Sequence, residues 1–371
     1  MKILFLCGSL QAGRDGVGDY TTRLCEELIR LGHQVAAVAL NDHHTSSLRT
    51  CNAGAQGKFA SLRIPYNWAT NDRLEKAKEY IDSFDPQWIS LQFVIYAFHS
   101  KGLAFGLAKN IERLSNGRPL HIMFHELWIG FSKVSPLKHK IIGHCQKLII
   151  TSITKRLQPL CITTSNILYQ LLLKENHIKA SVLPLFSNIP LATLDKSFVA
   201  EKLNDMSIDE KEIDSWMFTG IFGNLHPDTN LEASIQSQLS FAQSGKKKLA
   251  FLSFGRINSD SLTEFQRLEK VFVNRVKFAH FGELATEKVS SLFQILNTGI
   301  SCTPSHVLGK SGAFAAMRRH DVEVILPKGP TIPEFKRQIN DDNKRLIQRP
   351  ASTWSAAHIA EQFVTLLRQE R

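Results

Sequence analysis

Four stretches of the 371-residue chain hold residue types that could do chemistry, and each follows an apolar, strand-like run. Gln11 to Asp19 carries Gly13, Gly16 and Gly18 ahead of a helix-prone segment. Glycines let backbone approach a ligand, and the amides of a helix start favour an anion. The order G-x-x-G-x-G reverses the dinucleotide fingerprint and begins too far after the strand for its tight turn, although Asp42 keeps a nicotinamide dinucleotide reading open. His125 and Glu126 adjoin after Leu120 to Phe124, where they could bond a sugar hydroxyl or act as acid and base; capping or packing is the plainer role. Gly255-Arg256 could turn a guanidinium toward a diphosphate, or simply be a solvated charge. Pro304 to Gly312 is the sharpest signal, because small residues at a helix start, with Lys310, Ser311 and Gly312, make an anion site. It resembles the GK[ST] half of a P-loop, yet Pro304 stands where the earlier glycine belongs, which argues against a Walker-type NTPase.

The elements that would position these loops alternate. Ile3 to Leu6, a helix over Asp19 to Leu31 capped by Asp19 and stopped at Gly32, and Gln34 to Leu40 make a βαβ unit with parallel strands. Strands continue at Trp88 to Phe93, Leu120 to Phe124, Leu160 to Thr163 and Ser181 to Leu183. Helices fall near Arg73 to Phe84, Gly102 to Leu114, Leu137 to Arg156 and Asn166 to Glu175. Pro184, Ser187, Asn188 and Pro190 form a breaker cluster suited to a linker. A second series runs through strands at Trp216 to Ile221, Lys248 to Phe254, Val276 to Phe281, Thr298 to Cys302 and Val322 to Leu326, with helices between them, and ends in an amphipathic helix over Ser352 to Arg368. The expected fold class is α/β: two Rossmann-like, doubly wound domains facing a cleft, with residues 1–184, a linker at 185–196, a second domain at 197–350 and a C-terminal segment at 351–371.

Composition agrees with a folded protein: 43% hydrophobic and 21% charged residues are near globular averages, and the length exceeds what one core usually serves. The net charge of +11 favours anionic partners such as nucleotides, phosphosugars or an acidic membrane surface. Basic residues are dispersed and no aromatic-interleaved basic module occurs, which argues against specific nucleic-acid recognition. Six scattered cysteines without CxxC pairs predict reduced thiols in a cytoplasmic protein rather than disulfides or zinc. No signal pattern and no bilayer-length apolar run is visible.

Taken in order, Gly16 to Val35, His125-Glu126, Thr163-Thr164-Ser165, Leu183-Pro184, His280-Phe-Gly-Glu-Leu284 and Pro304 to Met317 resemble the retaining nucleotide-sugar glycosyltransferases of the GT-B fold, especially glycosyltransferase family 4. The resemblance spans nearly the whole chain. It implies acceptor binding mainly in the first domain, donor nucleotide binding in the second, and a C-terminal helix that crosses back to the first. By position, Gly16 and Gly18 match the glycine loop near the donor phosphates, His125 the histidine facing the transferred sugar, and Gly309, Lys310, Ser311 and Gly312 the loop and helix start holding the diphosphate. The turn Gly282, Glu283, Leu284 would lie by the nucleobase, and Gly223 and Asn224 occupy the place of a family arginine, for which Arg256 and Lys310 would substitute as charge. The usual paired glutamates are absent; their places fall on Val307 or Leu308 and on Ala315.

The expected activity is transfer of a sugar from a nucleoside diphosphate sugar to an acceptor hydroxyl with retained anomeric configuration, with His125 and Glu126 as catalytic residues. No cofactor and no metal is expected beyond that co-substrate. The acceptor would be a carbohydrate or a lipid-linked molecule, and the basic and apolar stretch Lys133 to Arg156 could lie on an anionic leaflet at the inner face of the membrane. Its apolar residues facing the sheet, with the charges in water, is the plainer alternative. A non-catalytic binding or partner subunit and a nicotinamide-dependent enzyme are the alternative functions.

Overall fold

The computed structural model describes residues 1–51, 59–132, 135–226, 229–327 and 332–370. Lys133 and the pair Pro227-Asp228 lie outside them. The chain divides into two compact units, Met1–Pro184 with Ala356–Arg371, and Leu185–Ser355.

The first unit is built on eight strands: β1 (Lys2–Cys7), β2 (Gln34–Asp42), β3 (Arg49–Cys51), β4 (Ala60–Pro65), β5 (Trp88–Phe93), β6 (Leu120–Phe124), β7 (Cys161–Thr164) and β8 (Ser181–Val182). Their order is β3-β4-β2-β1-β5-β6-β7-β8, parallel except that β3 runs antiparallel to β4. The central strands are covered on both faces, which is why β1 reads as a continuous apolar run and why β5 is buried at every position although Ser90 and Gln92 interrupt its apolar residues. The three-residue β3 makes the edge beside β4, whose Ser61 and Arg63 interrupt its apolar residues.

The helix after β1 covers Gly16–Arg30 and is capped by Asp15, whose side chain accepts from the Val17 amide at 2.9 Å. Asp19, the expected cap, sits inside the first turn and accepts from the Gly13 amide at 2.9 Å, so it braces the glycine loop. The expected helix from Gly102 is shorter, Leu107–Ser115, because Gly102 has φ +64° and the chain to Gly106 is loop. The C-terminal helix, Ala356–Gln369, buries Ile359, Ala360, Phe363 and Leu367 completely in this unit and places the Phe363 ring 5.8 Å from Phe5.

The second unit holds β9 (Trp216–Phe222), β10 (Lys248–Phe254), β11 (Val276–His280), β12 (Thr298–Ile300) and β13 (Glu323–Ile325), all parallel in the order β11-β10-β9-β12-β13. Residues expected as linker are fastened here: the Ala192 and Asp195 amides donate to Ser290 and Ser291 at 3.0 Å each, on the helix Thr286–Ile295. Asp195 then caps a helix, Lys196–Asp205, that the sequence reading missed along with Lys336–Gln348.

Candidate functional site

In each sheet the strand order reverses once, between β1 and β5 and between β9 and β12, and open parallel sheets bind ligands over the carboxyl ends beside such a reversal. At the first reversal the loop after β1 folds back against its own helix. A Cβ on Gly18 would lie 2.5 Å from the Ser9 carbonyl oxygen, so only glycine permits this approach, whereas Gly16 opens the helix with no atom near its Cβ direction. Asp42, at the end of β2, is fully enclosed: it accepts from Ser9 Oγ at 3.1 Å, the Leu10 and His44 amides at 3.3 and 2.9 Å, and Arg63 Nε at 2.7 Å. Burial alone would raise its carboxyl, but the bonds from Arg63, His44 and Leu10 outweigh that and hold it below the usual range. Both oxygens are thus used to tie β1, β2 and β4 together. The acidic residue that kept a dinucleotide reading open is a brace.

His125 is buried beside the same reversal, directly after β6, and Glu126 follows it half-buried. The Tyr20 ring, from the helix after β1, meets the imidazole edge-on with centroids 5.1 Å apart. Beneath it runs a chain of polar groups that crosses three strands. Thr163 Oγ1 donates to Met123 Sδ at 2.9 Å, which leaves its lone pairs for His121 Nε2 at 2.9 Å. His121 Nδ1 then accepts from Ser90 Oγ at 2.8 Å, Ser90 accepts from Gln92 Nε2 at 2.8 Å, and Gln92 Oε1 accepts from His125 Nε2 at 2.8 Å. Hydrogen-bond direction therefore assigns the His125 proton to Nε2. Burial, with a smaller contribution from neighbouring His125, pushes His121 down to about 3, so it stays neutral and serves as a relay member. Ser90, Gln92 and His121 were not among the expected site residues; the available signal was polar residues inside otherwise apolar strands.

In the second unit every expected donor residue lies at the carboxyl edge of the sheet. Gly223 and Gly255 take φ of +80° and +86° at the ends of β9 and β10, a region that side chains avoid, and this lets the chain turn while the ladder continues through Gly223 N to Phe254 O (3.0 Å) and Gly255 N to Gly282 O (2.8 Å). Asn224 Oδ1 accepts the Asn258 amide at 2.7 Å and thereby joins the loops after β9 and β10. Arg256 is held by Glu283 in a two-pronged pair, Nη2 to Oε1 at 2.6 Å and Nε to Oε2 at 3.2 Å, at an exposed place. The carboxylate offsets the guanidinium there, so Arg256 offers less net charge to a phosphate than a lone arginine would. Leu284 packs against the hydrophobic core rather than standing open beside the loop.

The loop after β12 behaves differently. Ser305–Lys310 is a tight 3-10 turn, and Ser311 caps the helix Gly312–Arg319 by accepting the Phe314 amide at 3.2 Å while Thr303 donates to its Oγ at 2.7 Å. The first amides of that helix, Gly312 and Ala313, have no partner within the helix itself by construction. Gly309 is buried, Lys310 is half-buried, and a Cβ on Gly312 would meet nothing. Thr229 Oγ1 donates to the Cys302 carbonyl at 3.3 Å, so the loops following β9 and β12 meet across the strand reversal. Of the places that the resemblance gives to glutamates, Leu308 and Ala315 are 1% and 0% exposed and belong to the core, while Val307 is half-buried.

No family model matches the chain, and no curated protein matches it. Solved structures do. Anabaena HepE in complex with UDP superposes with a TM-score of 0.55 at 17% identity, covering 100% of this chain and 98% of that one. A glycosyltransferase from Rickettsia africae gives 0.57 at 13% identity over 99% and 98%. The catalytic domain of starch synthase IV from Arabidopsis thaliana, bound to ADP and acarbose, gives 0.55 at 11% identity over 100% and 99%. The chain therefore has the two-domain, Rossmann-like GT-B fold.

Proposed function

We propose that the chain is a glycosyltransferase that moves a sugar from a nucleoside diphosphate sugar to an acceptor hydroxyl. The observation that carries this reading is the capped helix start at Ser311-Gly312 with Lys310 beside it, set where the order of a parallel sheet reverses. Its amides and charge suit a diphosphate. The similarly folded HepE and starch synthase structures contain UDP and ADP, which supports a nucleotide at a GT-B site.

In the reaction the bond from the anomeric carbon to the diphosphate oxygen breaks, the acceptor oxygen bonds to that carbon, and the acceptor proton leaves with the phosphate side. Charge develops on phosphate oxygens, so Lys310 and the Gly312 amide stabilise the departing group. His125, oriented by Gln92, and Glu126 contact the sugar, and transfer proceeds with retention of configuration and without a metal. Gly18 holds the loop after β1 against its own helix, and Gly223, Asn224 and Gly282 shape the nucleotide end.

The acceptor is a carbohydrate or a lipid-linked molecule, reached by a cytoplasmic protein that touches an anionic leaflet peripherally. Support comes from the helix Leu137–Leu157, where Ile149 and Ile150 are buried as the plainer reading expects but Leu137, Ile141 and Leu148 are 74%, 59% and 53% exposed among lysines. Among the described residues no helix is long and apolar enough to cross a membrane.

The direct test is incubation with UDP-, GDP-, ADP- and dTDP-sugars and acceptor mixtures, reading glycosylated product and released nucleotide by mass spectrometry. Product whose anomeric configuration matches the donor is expected. A second reading, nucleotide-sugar binding without transfer, draws on Val307 or Leu308 and Ala315 standing where the resemblance places the paired glutamates. Saturable nucleotide binding with no product from any donor would decide for it.

A further inference from the structure

A cavity of about 320 Å³ opens in the first unit at the end of β2, between the helices Thr70–Phe84 and Leu107–Ser115. None of the residues assigned above to sugar or phosphate lines it. Its walls are largely apolar, with Leu74, Phe98, Leu103 and Ile111 among them, and Phe105 stands 64% exposed at the rim.

Two of the side chains that line it, Arg73 and His99, bring donors. Arg73 reaches in from the first turn of its helix, and its guanidinium is fixed by neutral oxygens only. Nη1 donates to the Leu40 carbonyl at 3.2 Å and to Asn41 Oδ1 at 2.5 Å, and Nη2 donates to Thr70 Oγ1 at 3.3 Å. Its buried Nε finds no partner among the described residues. No carboxylate lines the cavity, and among the described residues Arg73 forms no ion pair. A half-buried cation answered only by dipoles retains most of its electrostatic demand. Burial accordingly disfavours its charged form.

His99 adds a second donor. Its Nδ1 accepts the Lys101 and Leu103 amides, both at 3.2 Å, so the neutral ring carries its proton on Nε2. Asn110, also in the lining, supplies a side-chain amide.

One full positive charge, neutral donors beside it and an apolar enclosure of this size select a small organic monoanion. A phosphate dianion would leave a charge unanswered, and a sugar would leave the apolar walls unused. We propose that this cavity is a binding site for a monocarboxylate carried on an apolar, ring-sized body, with Arg73 and His99 at the carboxylate and Phe98, Leu103 and Ile111 around the ring. The site does not depend on the transferase reading, and its test needs no turnover.

The experiment is calorimetry and thermal shift on the full chain with 2-naphthoate, its isosteric neutral 2-naphthamide, and acetate. Naphthoate should bind and raise the melting temperature. The amide should bind about tenfold more weakly, the difference between a charge-assisted and a neutral hydrogen bond. Acetate should produce no shift at the same concentration. In Arg73→Gln the preference for naphthoate over the amide should disappear. Because Arg73 also holds β2, a second variant avoids it: Leu103→Trp fills the cavity from the loop side and should abolish naphthoate binding while leaving the thermal shift with UDP unchanged. Equal affinity for naphthoate and the amide, no naphthoate binding, or full binding by Leu103→Trp would each overturn the proposal.

Discussion

Lys310 is the cation that the proposed diphosphate site calls on first, and Arg256, on another loop of the same unit, is held by Glu283. Removing one charge-assisted bond costs about 1.5 to 3 kcal/mol, so Lys310→Ala should weaken nucleoside diphosphate binding by that amount, while Arg256→Ala should cost clearly less. Calorimetry with UDP, GDP and ADP reads both, and equal losses would remove Lys310 from its role. His125 predicts the opposite profile. His125→Ala should lower the transfer rate and leave nucleotide affinity within a few fold, since its partners lie in the first unit. Gln92→Leu should do the same through orientation, at a stability cost of about 1 to 3 kcal/mol for the polar groups it orphans. A variant with undiminished turnover would leave Gln92 and His125 as packing residues.

His121 carries a pH dependence whose sign follows from its environment. Its folded pKa is lowered to about 3 by burial, against 6.5 in an ordinary environment. Above 6.5 both states are neutral and the group contributes nothing to the pH slope. As pH falls from 6.5 toward 3 the unfolded chain takes up a proton that the native one refuses, and stability is lost at up to about 1.4 kcal/mol per pH unit. His121→Gln should flatten that window in urea titrations at several pH values; an unchanged slope would mean that His121 is protonated in the native state.

At the scale of elements, the helix Leu137–Leu157 has two apolar faces with different fates. Ile149, Ile150 and Ile153 pack into the unit, while Leu137, Ile141 and Leu148 recur on an outward stripe flanked by Lys138, Lys140 and Lys147. Each basic residue near an anionic surface contributes on the order of 1 kcal/mol, so adsorption should be measurable and salt-sensitive. Vesicles with anionic lipid should pellet the protein at low salt and release it at high salt, and Ile141→Glu with Leu148→Glu should abolish pelleting without lowering the melting temperature. Pelleting that ignores lipid charge would assign the stripe another role. The sequence could place this helix, because a long apolar-rich period is unmistakable, but not its facing: an isoleucine on either face reads alike until the neighbouring sheet is known. The three residues of β3 are too few to carry a period, the alternation of β4 over Ala60 to Ile64 went unread, and Asp19 passed for a cap when Asp15 stood four residues earlier. The glycine-bearing loops were legible because special backbone conformations restrict residue type. The polar chain from Thr163 to His125 was not, since its members are spread over β5, β6 and β7 and only the sheet order joins them.

At the scale of the whole molecule, the first unit is completed by the last helix of the chain, so its stability rests on residues separated by more than the entire second unit. Phe363 is the clearest point of dependence: it is fully buried, with its ring 5.8 Å from Phe5 on β1 and 5.1 Å from His121 on β6. Truncating a buried phenylalanine to alanine removes its transfer free energy and leaves a cavity, together about 3 to 5 kcal/mol. Phe363→Ala should therefore lower the stability of the first unit by that amount. Because the ring also lies against His121, the change should reach Gln92 and His125 through the hydrogen-bonded chain and reduce transfer before the unit unfolds. Hydrogen exchange separates the two units: amides of β1, β5, β6 and the helix Gly16–Arg30 should exchange faster, while those of β9, β10 and the helix Gly312–Arg319 keep their protection and UDP affinity is retained. Faster exchange spread evenly over both sheets would show instead that the units unfold as one, and that the terminal helix serves the whole chain.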